Sequence, residues 1–222
     1  VSDDAREDAA RLIHRACRET GFFYVSGHGI DPLLVESQLA AARRFFAQSD
    51  GAKQAVSKAH SPHWRGYEGV GAQVLDAGSA ADHKESFAIA IDLAEDDPLV
   101  VAGVPGQGPN LWPEHLPGFR EQMLAYQGAM IDLGRHLMGL IAMSVDLDYG
   151  YFAAGLDQPQ CGVRLLRYPP QPHDGSDNVL GAGAHSDWGS ITILLQDGKA
   201  GLEVRNAAGE WILATPIPGT FV

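Results

Sequence analysis

The sequence predicts an α+β fold in which helices precede a half built from short strands. Apolar residues recur at helical spacing in the stretches 2–20, 31–48 and 117–147. Many short strands after a helical block favour an α+β architecture whose second half is a jelly-roll. The β-rich runs that alternate with turn residues predict strands at about 162–168, 179–186, 190–196, 201–206 and 211–215.

Local signals support the first two helices and the segment between them. Ser2 suits the N-cap of the first helix, and Gly21 stands where a glycine would end it. Asp31 and Pro32 form an N-cap followed by proline at the first helical position, which opens the second helix. Between the two helices, Phe22 to Val25 indicates a short buried strand.

The composition of the chain changes in its middle part. Glycines and short runs such as Ser86 to Ile91 indicate strands joined by turns, and 101–112 is a loop rich in Gly and Pro. The stretch 117–147 then carries an apolar residue at nearly every third or fourth position, which predicts the longest helix. We interpret its methionines as core filling.

The amino-acid composition limits the functional classes to which the chain can belong. The 222 residues, 45% of them hydrophobic, suffice for one sizeable core. A net charge of −12 argues against nucleic acid and anionic membranes as partners, although a few local arginines could still attract a small anion. No apolar run is long enough to span a bilayer. Cys17 and Cys161 suggest buried thiols in a reducing compartment, so we expect a cytoplasmic protein.

A metal site is indicated by His185 and Asp187, which stand two residues apart at the head of an apolar run. Alternate side chains of a strand project to the same face, so the imidazole and the carboxylate would point together. Two His and one carboxylate on one face of an octahedron form the site of non-haem Fe(II) oxygenases. The alternative is a surface turn before a strand.

Four segments carry a family resemblance: Gly21–Ile30, Gly162–Pro170, His185–Asp197 and Gly201–Pro216. Together they resemble the isopenicillin-N-synthase-like branch of the Fe(II)/2-oxoglutarate-dependent dioxygenases. The resemblance covers nearly the whole chain and implies a double-stranded β-helix (jelly-roll) core with an N-terminal and flanking helical layer.

We expect four consecutive segments along the chain. An N-terminal helical and strand segment covers 1–60, and strands and loops that line the substrate side cover 61–112. A long helix region covers 113–158, and the first part of the jelly-roll core, with the His-x-Asp pair, covers 159–222.

The family's third metal ligand is a His well beyond the His-x-Asp strand, followed by an Arg-x-Ser that holds 2-oxoglutarate. No His follows His185 in this sequence. We therefore expect the third ligand beyond Val222, a core that is incomplete as given, and a chain that is a portion of a longer protein.

Roles for other residues follow from the resemblance. Fe(II) is the implied cofactor and 2-oxoglutarate the implied cosubstrate, with Tyr168 near the cosubstrate's C1 carboxylate. Phe87, Gln73 and Tyr67 match segments that line the substrate side. Trp188 would form an aromatic wall beside the iron, or else be an ordinary core residue.

Two further residue sets remain open to interpretation. Arg164 shares a strand face with Tyr168, so it could bind a substrate carboxylate bidentately or lie on a solvated rim. His83 and Glu85 form a rival His-x-carboxylate pair. Because the family commonly keeps a Lys-Glu at this position, we interpret that pair as structural or substrate-side.

We therefore expect an Fe(II)/2-oxoglutarate-dependent dioxygenase whose catalytic residues are the metal ligands alone. It would hydroxylate, desaturate or cyclise a small molecule, carboxylate-bearing if Arg164 faces inward, with release of succinate and CO2. Its partners would be substrate and O2, with no nucleic acid and no membrane, and the oligomeric state is open. The alternatives are an Fe(II) oxidase that does not use 2-oxoglutarate and a catalytically inactive jelly-roll binding module.

Overall fold

The computed structural model describes residues 2–74, 81–170 and 180–222, and these contain both helices and strands. The α-helices are Asp3–Glu19 (α1), Pro32–Phe46 (α2), Asp50–Ala55 (α3), Pro98–Val101 (α4) and Phe119–Ser144 (α5). The strands are Gly66–Glu68 (β1), Glu85–Ala90 (β2), Gly162–Arg167 (β3), Glu203–Arg205 (β4) and Trp211–Leu213 (β5). Two 3-10 turns occupy Lys58–His60 and Ala153–Leu156.

The predicted long helices are confirmed, and their ends follow the local signals. The Ser2 hydroxyl accepts the backbone N–H of Ala5 at the start of α1, and Gly21 adopts a φ of 74° just past its end. At the start of α2, the Asp31 carboxylate accepts the backbone N–H of Leu33 at 2.9 Å. These contacts satisfy backbone donors that have no partner within the helix itself.

Contacts divide the chain into two compact units. The first, here called the terminal unit, comprises Val1–Val35, Gly128–Pro159 and Asp187–Val222. The second, the central unit, comprises Glu36–Gln127 and Gln160–Ser186. The four consecutive segments expected from the sequence remain a prediction.

The central unit is built on a three-stranded antiparallel sheet with the order β1-β2-β3. Phe87 lies at the middle of β2, opposite Tyr67 on one side and Leu165 on the other. Its side chain is fully buried, with its ring centroid 4.5 Å from that of Phe45 and 5.6 Å from that of Phe119. Aromatic rings at these separations anchor the core of this unit.

The terminal unit holds shorter pairings. Strands β4 and β5 form an antiparallel pair, and Val25 makes an isolated antiparallel bridge with Phe221. Leu194 and Val222 exchange two backbone hydrogen bonds, of 2.8 and 3.0 Å. Helix α1 buries Ala10 and Ile13 on one face, in agreement with its predicted apolar stripe.

Three predicted strands are not strands in this structure. Residues 22–25 contribute only the bridge at Val25, and residues 180–186 and 190–196 are irregular. Position 179, with which one of these strands was predicted to begin, lies outside the described residues. A strand needs a neighbouring strand to accept its ladder of hydrogen bonds. The backbone of 180–186 instead bonds at single points, at Leu180 and Gly183.

Among the helices that the structure describes, none has both the length and the apolar character required to cross a lipid bilayer.

Candidate metal and substrate site

His185 lies in irregular chain and is oriented by a hydrogen bond to a nearby carbonyl. Its Nδ1 atom lies 2.8 Å from the backbone oxygen of Gly183. Because a carbonyl oxygen only accepts, Nδ1 carries the hydrogen, and in the neutral ring Nε2 carries the lone pair. This tautomer is the one that ligates a metal through Nε2.

Asp187 follows two residues later and, like His185, is exposed. An imidazole nitrogen and a carboxylate oxygen form a donor set that suits Fe(II). Across the described ranges 2–74, 81–170 and 180–222, no group of three His, Cys, Asp or Glu side chains forms a metal site. The residue types of His185 and Asp187 match two of the three expected ligands, and their role as ligands stays a prediction.

Asp82 was missed by the sequence analysis, although it directly precedes the His83 to Glu85 motif. Its carboxylate is almost fully buried and uses both oxygens. Oδ1 accepts the backbone N–H of Gly183 at 3.0 Å, and Oδ2 lies 2.7 Å from the Lys84 ammonium. Asp82 thus contacts the same residue whose carbonyl orients His185.

Arg164 has a carboxylate partner within the protein. Its guanidinium lies 2.7 Å from Glu68, whose other carboxylate oxygen is 3.0 Å from the Lys58 ammonium. Burial would raise the pKa of Glu68, but Lys58 and then Arg164 outweigh that effect and hold the pKa below its ordinary value of 4.5. Glu68 is therefore ionised near neutrality, and the two cations leave one positive charge in excess.

A cavity of about 390 Å³ opens beside this charged cluster. Lys58, Tyr67 and Glu68 line it together with Trp64. Trp64 is 64% exposed and has a backbone φ of 62°, which bulky residues rarely adopt. Such strain is common at binding sites. Lys58, Trp64 and Glu68 were not singled out from the sequence, although Glu68 directly follows the candidate Tyr67.

Tyr168 is half exposed, and its ring packs closely on Gly181, where an added Cβ would meet Cδ1 of Tyr168 at 2.8 Å. Partial burial and then the charge of Asp82 raise the pKa of Tyr168, against an opposing effect of Arg164. The phenol is therefore neutral at physiological pH and can act as a hydrogen-bond donor. Its role toward 2-oxoglutarate stays a prediction.

The four candidates for the substrate side lie in different surroundings. The Gln73 amide donates to Glu68 at 2.9 Å and so belongs to the Arg164 cluster. The buried Tyr67 donates its hydroxyl hydrogen to Glu85 at 2.7 Å, and Phe87 is a core residue. Trp188 is 97% exposed, so the described residues do not enclose it as an aromatic wall. Substrate contact by these four side chains stays a prediction.

Glu85 explains why the rival His-x-carboxylate pair is not arranged as a metal site. Its carboxylate is engaged by Lys53, Tyr67 and Arg167, and it is only 2% exposed. All of its near partners are donors, so the group acts as the centre of a buried ionic network. These contacts favour a structural role for Glu85, and the interpretation of the pair as structural or substrate-side stays a prediction.

Two family models match the chain. The model described as "non-haem dioxygenase in morphine synthesis N-terminal" matches residues 1–115. The model described as "2OG-Fe(II) oxygenase superfamily" matches residues 159–222.

Individual proteins show the same similarity. A 2-oxoglutarate-dependent dioxygenase of Didymella fabae is 38% identical over 218 residues, which are 95% of this chain and 66% of that protein. The dioxygenase citB of Monascus ruber is also 38% identical, over 99% of this chain and 69% of its own length. The crystal structure of a full-length Neurospora crassa protein in complex with alpha-KG superposes with a TM-score of 0.85. It is 29% identical, with coverage of 99% of this chain and 68% of that one.

The chain spans slightly less than two thirds of the length of two relatives: 66% of the Didymella fabae protein and 64% of the oxidoreductase hxnY of Emericella nidulans, which is 34% identical.

Proposed function

Since this chain belongs to the 2OG-Fe(II) oxygenase superfamily, we propose that it acts as an Fe(II)- and 2-oxoglutarate-dependent oxygenase. The observation that carries the proposal is the Nδ1 hydrogen bond from His185 to Gly183, which selects the tautomer of a metal-binding imidazole. His185 and Asp187 would hold the iron. When bound, Fe(II) supplies the activation of O2 for oxidation of a C–H bond.

The protein's own groups would bind and orient the reactants. Tyr168, neutral at working pH, would donate its hydroxyl hydrogen to a carboxylate oxygen of 2-oxoglutarate. The product class in our proposal is a hydroxylated, desaturated or cyclised small molecule. An inactive binding module is not favoured, because the metal-binding residue types are retained and His185 is held in the ligating tautomer.

We propose further that the substrate carries a carboxylate, which Arg164 would bind. One guanidinium nitrogen of Arg164 contacts Glu68, and the planar group has other N–H donors. The excess positive charge contributed by Lys58 favours an anion in the adjoining cavity. Trp64, exposed at this cavity, offers an aromatic face for the rest of the molecule.

The test is an anaerobic Fe(II) titration of the full-length protein with and without 2-oxoglutarate, read as a visible charge-transfer band. A band that requires both components supports the proposal. In His185→Ala, the band and 2-oxoglutarate consumption should be lost while the far-UV circular dichroism is unchanged. His115→Ala is the control, because that side chain is exposed in a turn. Undiminished turnover by His185→Ala would refute the metal assignment.

A further inference from the structure

We propose that Asp82 is a positioning residue for the metal ligand His185 and acts through the backbone of Gly183. This inference rests on the proposed iron site. It concerns a residue that would touch neither metal nor substrate. Asp82 and His185 are far apart in sequence, and a two-step hydrogen-bond chain connects them.

The first step joins Asp82 to Gly183. The Oδ1 atom accepts the backbone N–H of Gly183 at 3.0 Å, and both groups are buried. A hydrogen bond to an ionised acceptor is about twice as strong as one between neutral groups. The second oxygen of Asp82 pairs with Lys84 at 2.7 Å, which places a counter-charge beside the buried carboxylate.

The second step joins Gly183 to His185. The carbonyl oxygen of Gly183 lies 2.8 Å from Nδ1 of the imidazole. Metal-binding His residues usually donate their other ring N–H to a fixed acceptor, which sets both the tautomer and the ring orientation. The N–H and the carbonyl of residue 183 belong to neighbouring peptide planes, so anchoring the N–H limits the positions that the carbonyl can take.

The backbone at Asp82 is held by its own hydrogen bonds, which restrict where the Asp82 carboxylate can lie. The N–H of Asp82 donates to the carbonyl of Gln73 at 2.8 Å, and the carbonyl of Asp82 accepts from Gly71 at 3.1 Å. The next N–H, that of His83, donates to the carbonyl of Leu180 at 2.9 Å. The Asp82 region thus holds the segment that leads to His185 at two points, Leu180 and Gly183.

The experiment compares Asp82→Asn and Asp82→Ala with the parent, all as full-length protein. An asparagine replaces one carboxylate oxygen with an NH2 group, which then faces either the Gly183 N–H or the Lys84 ammonium, both of them donors; alanine offers no acceptor to either. Dissociation constants are measured for Fe(II) with 2-oxoglutarate by the charge-transfer band, and for Co(II) alone by its visible spectrum. Loss of an outer contact of a metal-bound His typically weakens binding about 10- to 100-fold, and we expect that range for both variants.

Asp92→Asn is the matched control for folding. The Asp92 carboxylate also accepts a backbone N–H, from Asn110 at 2.8 Å, and also pairs with a cation, Arg120 at 2.9 Å. It lies in another loop of the central unit. We expect Asp92→Asn to lower the stability of the metal-free protein while the metal affinity stays within about twofold. A second variant, Lys84→Met, removes the ion pair but leaves the acceptor for Gly183, and should weaken metal binding less than Asp82→Asn does.

Several results would overturn the inference. Asp82→Asn could retain metal affinity within twofold while its unfolding curve shifts like that of Asp92→Asn, which would make Asp82 a structural residue only. Equal losses in Lys84→Met and Asp82→Asn would assign the effect to the ion pair. If Asp82→Ala does not fold, the metal dissociation constants of the isosteric Asp82→Asn variant decide the question. A parent protein that shows no Fe(II)-dependent band would instead reject the proposed function, and this inference with it.

Discussion

The Lys53 ammonium lies 2.8 Å from the Glu85 carboxylate, and their side chains are 6% and 2% exposed. The same carboxylate accepts the Tyr67 hydroxyl hydrogen and pairs with Arg167. A buried charge is tolerated only when its partners are close and its hydrogen bonds are complete. Glu85, at the start of β2, therefore connects α3 (Lys53), β1 (Tyr67) and β3 (Arg167) within the central unit.

Glu85→Gln should destabilise the protein by about 3–5 kcal/mol, because it leaves the Lys53 ammonium buried next to a neutral amide. The measurement is the free energy of unfolding from urea denaturation. Asp50→Asn is the control, since Asp50 pairs with the same Lys53 at 3.2 Å but is 94% exposed. An exposed pair contributes at most about 1 kcal/mol. Equal losses in the two variants would contradict the burial argument.

Stability should fall as the pH is lowered from 5 through the acid range. Burial would raise the pKa of Glu85, but Lys53, Tyr67 and Arg167 outweigh it and lower the pKa below 4.5; Glu68 is lowered similarly. The unfolded state therefore takes up protons first. The stabilisation from both groups is complete above the unfolded pKa and is lost as pH falls through the folded pKa.

The check is the free energy of unfolding measured against pH for the parent and for Glu85→Gln. Glu85 and Glu68 both have a lowered pKa, and the variant lacks the first of these carboxyls. Its free energy of unfolding should therefore depend less steeply on pH below 5. Parallel curves would mean that Glu85 does not contribute to the acid dependence.

The helices and the family could be predicted from the sequence, because the residue patterns that indicate them are local. The three long helices were placed within a few residues of α1, α2 and α5, and strands were predicted at β2 to β5. The similarity to solved structures of the superfamily confirms the predicted fold class, α+β with a jelly-roll core. The cytoplasmic location remains a prediction.

The candidate site could be predicted only in part from the sequence, since its contacts join residues that are far apart along the chain. Arg164 was named as a candidate, but its partner Glu68 is 96 residues away, and the bond from Gly183 to Asp82 spans 101 residues. No periodicity encodes such pairs. The strands expected at 180–186 and 190–196 failed for the same reason: β propensity forms a strand only where a neighbouring strand accepts its hydrogen bonds.

Gly66→Ala should lower stability by at least about 2 kcal/mol, because the residue has no room and an unfavourable backbone. Its φ is 114°, and an added Cβ would lie 2.4 Å from the backbone oxygen of Val56. That atom belongs to the main chain and accepts the N–H of Tyr67 at 2.8 Å, so it cannot move away easily. Urea denaturation measures the loss.

Gly69→Ala, three residues later, provides the comparison. The nearest atom to its added Cβ is the Tyr67 hydroxyl oxygen at 3.8 Å, an ordinary contact. We expect a change below about 1 kcal/mol there. A Gly66→Ala protein as stable as Gly69→Ala would show that the start of β1 adapts to a side chain.

Arg164→Leu should raise the KM for a carboxylated substrate about 10- to 100-fold, because a hydrogen bond to a charged group contributes roughly 1.5–3 kcal/mol. The dissociation constant for 2-oxoglutarate should not change. Stability should fall little, since the Arg164–Glu68 pair is partly exposed, at 39% and 16%. The assay follows 2-oxoglutarate turnover with the carboxylated compound that stimulates it most.

Arg167→Leu separates substrate binding from stability, because Arg167 lies on the same strand but pairs with the buried Glu85. This variant should lose stability while the KM stays near that of the parent, the reverse of the Arg164→Leu pattern. If Arg164→Leu loses stability alone and its KM is unchanged, Arg164 is a structural residue held by Glu68. The substrate would then bind without a carboxylate contact at β3.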